Sequence, residues 1–522
     1  MKLLKIISFL LLVTVFFGLN LNSQNIWTGS SDNYWNTSAN WSLNRVPLSS
    51  DDVIIPDCTS LPNIPERSGT DMVCNNLTIK PGGQLTVYRK ILHVYGNLII
   101  ESPDNSNASG SLIEAGEEGD KIIVDGTVSF QRFYSVNNRY QYVSSPIKNV
   151  SSSLFTNAST SGYFNPNFYS YNETYDCNPD PVSSSAIEKY EQWMNTDLVN
   201  AWEEYHNGEG NSGINLITGQ GYVFYNDADV TINYSGNTEN VLNNGNISVN
   251  VTNTANDGNS GYYDGWNLIG NPYPSAYDFA TVREPGDVDS TIYLWNGTNY
   301  IYYNYNGNTE DYSVSSYVVN ESGTYNAIPA GQAFFVKAKP GGGTFDFSQR
   351  KRIHSNQAMT KKTTKNIINF VKFRITDDDF SDETVIRFIE NATEDYDGAY
   401  DAYKLPVSNE NIPQIFTETL NTFEPLAINS LPAGYENNVF NIPLTVKVKQ
   451  NGNFQISVID DYLFECNAFL TDNYTGETFD LKKTKTINVN LNQGLNDNRF
   501  TVKMQYLASN IDITKNNINI YP

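Results

Sequence analysis

Short apolar segments separated by turn residues recur along almost the whole chain, and this pattern predicts an all-β protein. Between residues 76 and 100 the apolar bursts are three or four residues long and begin about every seven residues, with Gly82 and Gly96 in the gaps. Strands this short at near-even spacing predict a β-solenoid-like module over residues 25–132, in which each coil buries its apolar side chains on the next. An antiparallel meander stays open as the alternative.

The segment from residue 133 to residue 352 contains four sequence blocks that occur twice in the same order. This repeat predicts a duplicated β module of two β-sandwich-like units, packed as one sandwich or as two lobes. One stretch of the first copy breaks the β pattern, because residues from Ile187 to Tyr205 have apolar positions at helical spacing and predict a short amphipathic helix. The blocks are 142–146, 169–174, 219–224 and 230–234 in the first copy, and 267–272, 293–298, 331–336 and 344–347 in the second.

The last third of the chain alternates apolar and polar residues again, with turn signals between the segments. This pattern predicts a C-terminal β-sandwich over residues 366–508, including a hairpin at Asn451-Gly452. The composition just before it turns basic and polar, so we interpret residues 353–365 as a basic linker between modules.

The N-terminus has the features of a secretory signal peptide, predicted over residues 1–24. Lys2 and Lys5 precede an apolar run from Ile6 to Leu19, and the small residue Ser23 lies at a plausible cleavage site. The run is short for a membrane span, and no later stretch approaches that length. We therefore expect an exported protein with no transmembrane segment in its mature chain.

The charge of the chain narrows the classes of partner. Its formal net charge is -24 and its pI is about 4.5. Nucleic acid and anionic lipid both need a basic surface, so neither is an expected partner. The acidic surface favours solubility, and it leaves room for divalent cations.

The four cysteines meet an oxidising compartment if the protein is exported. Cys58 and Cys74 are close in sequence and flank a proline-containing loop, so they are the candidate disulfide, with two free or buried thiols as the alternative. A zinc site is poorly supported, because the three histidines are scattered and no C-x-x-C motif occurs.

One acidic cluster is a candidate calcium site. Asp377, Asp378, Asp379 and Asp382 supply carboxylates from one short segment, which is what a hard cation requires. Their spacing differs from that of an EF-hand loop, and a solvated acidic turn is the plainer interpretation. Calcium is the only cofactor that the sequence suggests.

No catalytic constellation is evident in the sequence. A nucleophilic triad has no support from three unclustered histidines without a G-x-S-x-G motif. The segment with Tyr300, Tyr302, Tyr303 and Tyr305 could stack on sugars, although strand alternation sends at least one pair of these rings into the core.

Several of these segments resemble the modules of large surface and secreted proteins that Bacteroidota export through the type IX secretion system. Residues 27–56 look like their N-terminal solenoid opening, and residues 265–274 with 328–336 are similar to their central module. Segments between residues 382 and 444 look like the β-sandwich that precedes their sorting tail. Residues 517–522 are similar to the beginning of a type A C-terminal sorting domain, so we interpret residues 509–522 as the start of a truncated sorting domain.

The resemblance implies no common enzymatic activity. We therefore expect a non-enzymatic protein, secreted or held at the outer cell surface, with an adhesion or scaffold role. Its expected partners are the type IX secretion machinery and an extracellular glycan or protein ligand. The alternative is a carbohydrate-binding or polysaccharide-degrading surface protein.

Overall fold

In the computed structural model, strands pair into sheets throughout the chain, which confirms the all-β prediction. The predicted signal peptide up to residue 23, the linker from residue 355 and the segment 509–522 lie outside the described residues, as does Cys177. The structure describes residues 24–102, 109–115, 121–135, 139–155, 168–174, 201–205, 213–237, 241–254, 264–279, 286–304, 319–320, 323–324, 327–354, 369–377, 379–407, 409–433, 438–463 and 466–506.

The N-terminal module is a solenoid with three parallel sheets. Its sheets contain β1-β2-β4-β7-β10, β3-β6-β9 and β5-β8, and all neighbours within them are parallel. The solenoid prediction is therefore confirmed against the antiparallel meander. The strands are β1 Gln24–Ile26, β2 Asp52–Ile55, β3 Met72–Cys74, β4 Leu77–Ile79, β5 Gln84–Tyr88, β6 Ile91–Val94, β7 Leu98–Ile100, β8 Ser111–Ala115, β9 Lys121–Val124 and β10 Val128–Tyr134.

Stacking of equivalent residues explains why such short strands are stable. Leu77 lies beside Leu98, and both are fully buried. At one corner the Asn76 side chain accepts a 2.8 Å hydrogen bond from the Asn97 backbone, and the Asn97 side chain accepts one of 2.8 Å from Thr127. Each coil thus satisfies the polar groups of the next as well as covering its apolar side chains.

Three buried tryptophans pack together at the N-terminal end of the solenoid. Trp27, Trp35 and Trp41 are each about 1% exposed and meet edge to face, with ring centroids 5.1 and 4.7 Å apart. The short 3-10 helix Ser38–Asn40 leads directly into Trp41. The tryptophan-rich opening of the sequence is therefore a packing feature and not an exposed binding surface.

Cys58 and Cys74 do not form the predicted disulfide; both are buried free thiols. Cys74 pairs with Val94 in one parallel sheet, whereas the Cys58 backbone bonds to Gly82 and its sulfur faces Gln84 at the start of a different sheet. Burial raises the pKa of Cys58 to about 11 and that of Cys74 to about 12, which keeps both thiols protonated.

Two repeat units follow the solenoid, each with a four-stranded antiparallel sheet and a further antiparallel pair of strands. The first unit uses β10 together with β11 Arg139–Val143, β12 Phe168–Tyr171, β13 Trp202–Glu204, β14 Tyr222–Asn226 and β15 Val230–Gly236. The second comprises β16 Ile247–Val251, β17 Trp266–Gly270, β18 Ala276–Asp278, β19 Val288–Trp295, β20 Tyr300–Asn304, β21 Val319–Asn320, β22 Gly323–Thr324, β23 Ala327–Ile328, β24 Ala333–Ala338 and β25 Gly343–Phe347.

The strand pairing of the two units is the same, which confirms the duplication. The four-stranded sheets run β11-β14-β12-β13 and β17-β24-β19-β20. The equivalent antiparallel pairs are β10 with β15, at the end of a six-stranded sheet that continues from the solenoid, and β16 with β25. The units also contact each other reciprocally. Val143 bridges Gln332, and the equivalent residues Ile269 and Gln220 form the matching bridge. Such a contact has the isologous geometry of a two-fold dimer within one chain.

The predicted amphipathic helix is wrong where the structure describes it. Residues 187–200 lie outside the described residues, but Trp202–Glu204 is strand β13 and pairs with β12. The Trp202 ring packs edge to face on Tyr171, with centroids 5.2 Å apart. Tertiary pairing with a neighbouring strand therefore overrode the helical spacing of the apolar residues.

The C-terminal module is one curled, mostly antiparallel sheet of eleven strands, whereas the predicted β-sandwich implies two separate sheets. Its order is β35-β34-β37-β32-β30-β31-β28-β27-β33-β36, with β29 paired to β31. Its core gathers residues from both ends of this path, such as Val371, Leu470 and Leu491. The strands are β27 Phe370–Thr376, β28 Ser381–Ile389, β29 Ala402–Tyr403, β30 Gln414–Glu418, β31 Pro425–Pro432, β32 Val439–Val448, β33 Gly452–Tyr462, β34 Cys466–Asp472, β35 Thr478–Asp480, β36 Thr486–Leu491 and β37 Gly494–Tyr506.

An aromatic layer joins this module to both repeat units. Tyr142, Trp266 and Phe335 of the repeats form one buried cluster with Tyr403 and Leu426 of the C-terminal module. The amine of Lys337 lies 5.1 Å from the Trp266 ring centroid and 5.2 Å from that of Tyr403. The modules therefore share a core instead of meeting through a polar, hydrated boundary.

The predicted boundary between residues 132 and 133 and the predicted start of the linker at residue 353 both lie inside ordered structure. Strand β10 pairs in parallel with β7 of the solenoid and along its whole length with β15. After the 3-10 helix Gln349–Lys351, strand β26 (Arg352–Ile353) pairs with β18. His354 then docks onto the solenoid, where its ring nitrogens lie 2.8 Å from the Ser111 hydroxyl and 2.9 Å from that of Thr86.

We expect His354 to make this docking sensitive to acid. Burial and the nearby Arg352 charge lower the pKa of His354 from 6.5 to about 3. Below pH 6.5 the unfolded chain binds a proton that the folded chain excludes, so the free energy of unfolding should fall by about 1.4 kcal/mol per pH unit towards the folded pKa. The measurement is urea unfolding of the protein and of His354→Gln across this pH range, and the Gln variant should lack that slope.

Comparing the unaltered protein with His354→Gln cancels the contributions of titrating groups that both contain. Burial raises the pKa of Asp401 to about 7, which favours the folded state as the pH falls and opposes the histidine effect. Because Asp401 is present in both proteins, its contribution cancels. Equal pH slopes for the two proteins would contradict the role assigned to His354.

Candidate ligand-binding cleft

A cleft of about 650 Å³ opens in the C-terminal module where its curled sheet does not close. Strands β35 and β36 are the two ends of the sheet order, and residues of both line the cleft, together with residues 495–499 of β37. Strand β36 pairs with β33 while β37 pairs with β32 and β34, so the two strands diverge after their connecting turn. The cleft is thus the open seam of the sheet, and its size is that of a small-ligand site.

Arg499 connects two parts of the cleft lining through hydrogen bonds. The Arg499 guanidinium donates to both carboxylate oxygens of Asp472, at 3.3 Å from Nε and 3.1 Å from Nη2, and its Nη1 donates to the carbonyl of Asn490 on the other side. The side chains of Arg499 and Asp472 are only 14% and 6% exposed. The two charges therefore neutralise each other, and the fork of donors holds the arginine in one orientation.

The same arginine supports an exposed aromatic ring. Its guanidinium carbon lies 5.4 Å from the centroid of Tyr474 and 5.0 Å from that of Phe500. Tyr474 is nevertheless 83% exposed, and its backbone N–H donates to the Asp472 carboxylate at 2.9 Å. The turn thus presents the ring to solvent while the cation–π contact restricts its motion.

Amide side chains supply most of the polar groups around this ring. The Asn473 amide donates to the Asn498 carbonyl at 2.9 Å and to the Thr501 hydroxyl at 3.0 Å. A carboxamide offers donors and acceptors side by side without a charge, which suits ligands rich in hydroxyl groups. The asparagines that line the cleft are Asn473, Asn488, Asn490, Asn492, Asn496 and Asn498.

The predicted calcium residues that the structure describes, Asp377, Asp379 and Asp382, do not converge on one site. Asp382 is buried, and its carboxylate accepts hydrogen bonds from the Lys404 amine at 2.5 and 2.7 Å and from the Ile415 N–H at 2.8 Å. Asp377 accepts from the backbone of Asp379 within a turn, and Asp378 lies outside the described residues. Across the described ranges, no three His, Cys, Asp or Glu side chains converge on a point that could hold a metal ion.

The tyrosine segment proposed to stack on sugars is mainly part of the core. Tyr302 is buried, and the Tyr300 hydroxyl lies 2.7 Å from that of Tyr142 in the inter-module layer. Tyr303 packs half-buried against Phe279, whereas Tyr305 lies outside the described residues. Strand pairing of β20 with β19 therefore uses these rings for packing.

Sequence reasoning missed the residues of the cleft. Alternation along β36 did contain one signal, because it places Asn488 and Asn490 on the exposed face between buried Ile487, Val489 and Leu491. Nothing in the sequence indicated that Tyr474, more than ten residues away, lies beside them. That proximity depends on the curl of the sheet, which brings its two end strands together.

A protein-family model described as "Domain of unknown function (DUF8693)" matches residues 26–504 of the chain. The chain belongs to the DUF8693 family. No curated protein and no solved structure matches it. The family match covers the solenoid, both repeat units and the C-terminal module, so the DUF8693 unit is this whole arrangement of modules. In the part of the chain that the structure describes, no helix is long and apolar enough to cross a membrane.

Proposed function

We propose that this DUF8693 protein is a non-enzymatic exported protein that acts at the outer cell surface or in the medium, in an adhesion or scaffold role, as cargo of a type IX secretion system. The observation that carries the proposal is the aromatic layer between the modules. It buries Tyr142, Trp266 and Tyr403, which belong to three different sheets, in one core that holds the modules together.

Polar anchors at the other junction support the same role. Arg352 of β26 donates to the Leu112 carbonyl of the solenoid at 2.7 Å and to Ser275 of the second repeat at 3.1 Å. The solenoid core also continues without a break into Phe130, Phe155 and Tyr234 of the first repeat. Shared cores and buried hydrogen bonds favour a fixed arrangement of the modules, which suits a scaffold or an adhesin.

The test is to locate the protein in cells that produce it from its own gene. We expect a species cleaved near Gln24 in the outer-membrane or medium fraction, and surface exposure shown by its digestion when intact cells are treated with protease. Loss of a type IX translocon component should retain the protein in the periplasm. Recovery of an uncleaved chain in the cytoplasm would contradict the proposal.

The second candidate function, a carbohydrate-binding or polysaccharide-degrading surface protein, is favoured by the cleft. Hydrolysis of a glycosidic bond requires two carboxyl groups that are available to the substrate. Asp472 is instead held by Arg499 and by the Tyr474 N–H. Glu477 and Asp497 are the other two acidic residues in the lining, and the many asparagines beside them support the glycan-binding form of this candidate function.

A further inference from the structure

We infer that the seam cleft of the C-terminal module binds a neutral oligosaccharide, with Tyr474 as the stacking platform and the surrounding asparagines as hydroxyl partners. This inference names the ligand class of the proposed adhesion role and in that sense rests on it.

The first argument is the exposure of the tyrosine. At 83%, Tyr474 is the most exposed of the large hydrophobic side chains of the described residues, yet it is not loose. The Arg499 guanidinium carbon lies 5.4 Å from the ring centroid, and the arginine is itself held by Asp472 and Asn490. A ring that is held in place with one face open loses little entropy when the apolar face of a sugar packs on it.

The second argument is the match between the polar lining and hydroxyl groups. Vicinal sugar hydroxyls need a donor and an acceptor at close spacing, and a carboxamide provides both. Several asparagines, Thr475 and Asp497 line the same cleft as Tyr474. The amides of Asn473, Asn490 and Asn498 already donate within the protein, so these three contribute mainly their oxygen acceptors.

The third argument is charge. Arg499 is paired with Asp472, and the remaining formal charges in the lining, those of Glu477 and Asp497, are negative. The whole chain also carries a formal charge of -24. An anionic polysaccharide or a phosphorylated ligand would meet repulsion here without a free cation in the lining, so the cleft selects a neutral ligand.

The test is binding of the purified mature chain to an array of neutral gluco-, manno- and galacto-oligosaccharides alongside anionic hyaluronan and oligogalacturonate fragments, followed by calorimetry on each hit. We expect binding to at least one neutral series, and Tyr474→Ala should weaken it about tenfold or more through loss of the stacking surface. The melting temperature of this variant should stay unchanged because Tyr474 is exposed.

Tyr95→Ala is the matched control, since Tyr95 is 46% exposed on the solenoid and stacks on His93 far from the cleft. It should bind glycan as the unaltered protein does. Binding only to anionic glycans, no binding to any neutral series, or equal affinity of the two variants would each overturn the inference. None of these results bears on where the protein is located, so the adhesion proposal would be judged separately by the fractionation experiment.

Discussion

Replacing Arg352 by methionine should destabilise the junction between the solenoid and the second repeat by about 3–5 kcal/mol. The guanidinium is buried and donates to the carbonyls of Leu112 and Glu114, to the Asn244 side chain and to the Ser275 hydroxyl, while it lies 4.8 Å from the Tyr273 ring centroid. Burial lowers its pKa to about 10, so it stays protonated at neutral pH. Methionine keeps much of the apolar stem but leaves these acceptors without a donor.

The measurement is hydrogen–deuterium exchange, which reports the junction separately from the other modules. Amides of β8 and β18 should lose protection in Arg352→Met, and the midpoint of thermal unfolding should fall. Arg350→Met is the control, because Arg350 is exposed in the adjacent 3-10 helix. Similar protection of β8 in the two variants would show that Arg352 does not hold the modules together.

Replacing Lys404 by methionine should destabilise the C-terminal module by about 3–5 kcal/mol. Its amine contacts both oxygens of Asp382, and the two side chains are 1% and 5% exposed. Burial already raises the pKa of Asp382, and the lysine charge and the Ile415 N–H offset that cost. Without the lysine, the carboxyl group must either stay charged in an apolar site or take up a proton.

The companion variant separates the loss of the ion pair from damage to packing. Lys404→Met combined with Asp382→Asn removes the unpaired charge and keeps an acceptor for Ile415, so it should recover most of the lost stability in urea unfolding. The exposed pair of Lys483 and Asp480 is the control, and Lys483→Met should leave the unfolding midpoint unchanged. A double variant no more stable than Lys404→Met would place the effect in packing instead.

The two largest expected losses of stability thus come from replacing buried charged residues, Arg352 and Lys404. Asp382, the partner of Lys404, is a predicted calcium ligand in the sequence but a buried ion-pair partner in the structure. The sequence pattern groups Asp382 with Asp377 and Asp379 as calcium ligands, because four acidic residues lie within six positions. Strand β28 begins at Ser381, and its inward direction at Asp382 separates that carboxylate from the others. Proximity in sequence does not ensure a shared site when a strand sends neighbouring side chains to opposite faces.

The sequence by itself determined the features that arise from local repetition. Short apolar bursts at even spacing specify the parallel coils around Leu77 and Leu98, since each coil buries the same positions as the last. Four repeated blocks specify two units with the same strand pairing, because the same turns and strands recur in the same order. These predictions depend only on the alternation of apolar and polar residues and on the spacing of repeated segments, both of which can be read locally from the sequence.

Only the tertiary structure decided which distant residues share a surface. Trp202 lies in a strand because it pairs with β12. His354 belongs to the folded core and not to a linker, because its ring nitrogens contact Ser111 and Thr86 of the solenoid. The cleft with Tyr474 and Arg499 exists because a sheet of this length curls without closing. The curl is the sum of small twists between many strand pairs, and no single segment of the sequence encodes that sum.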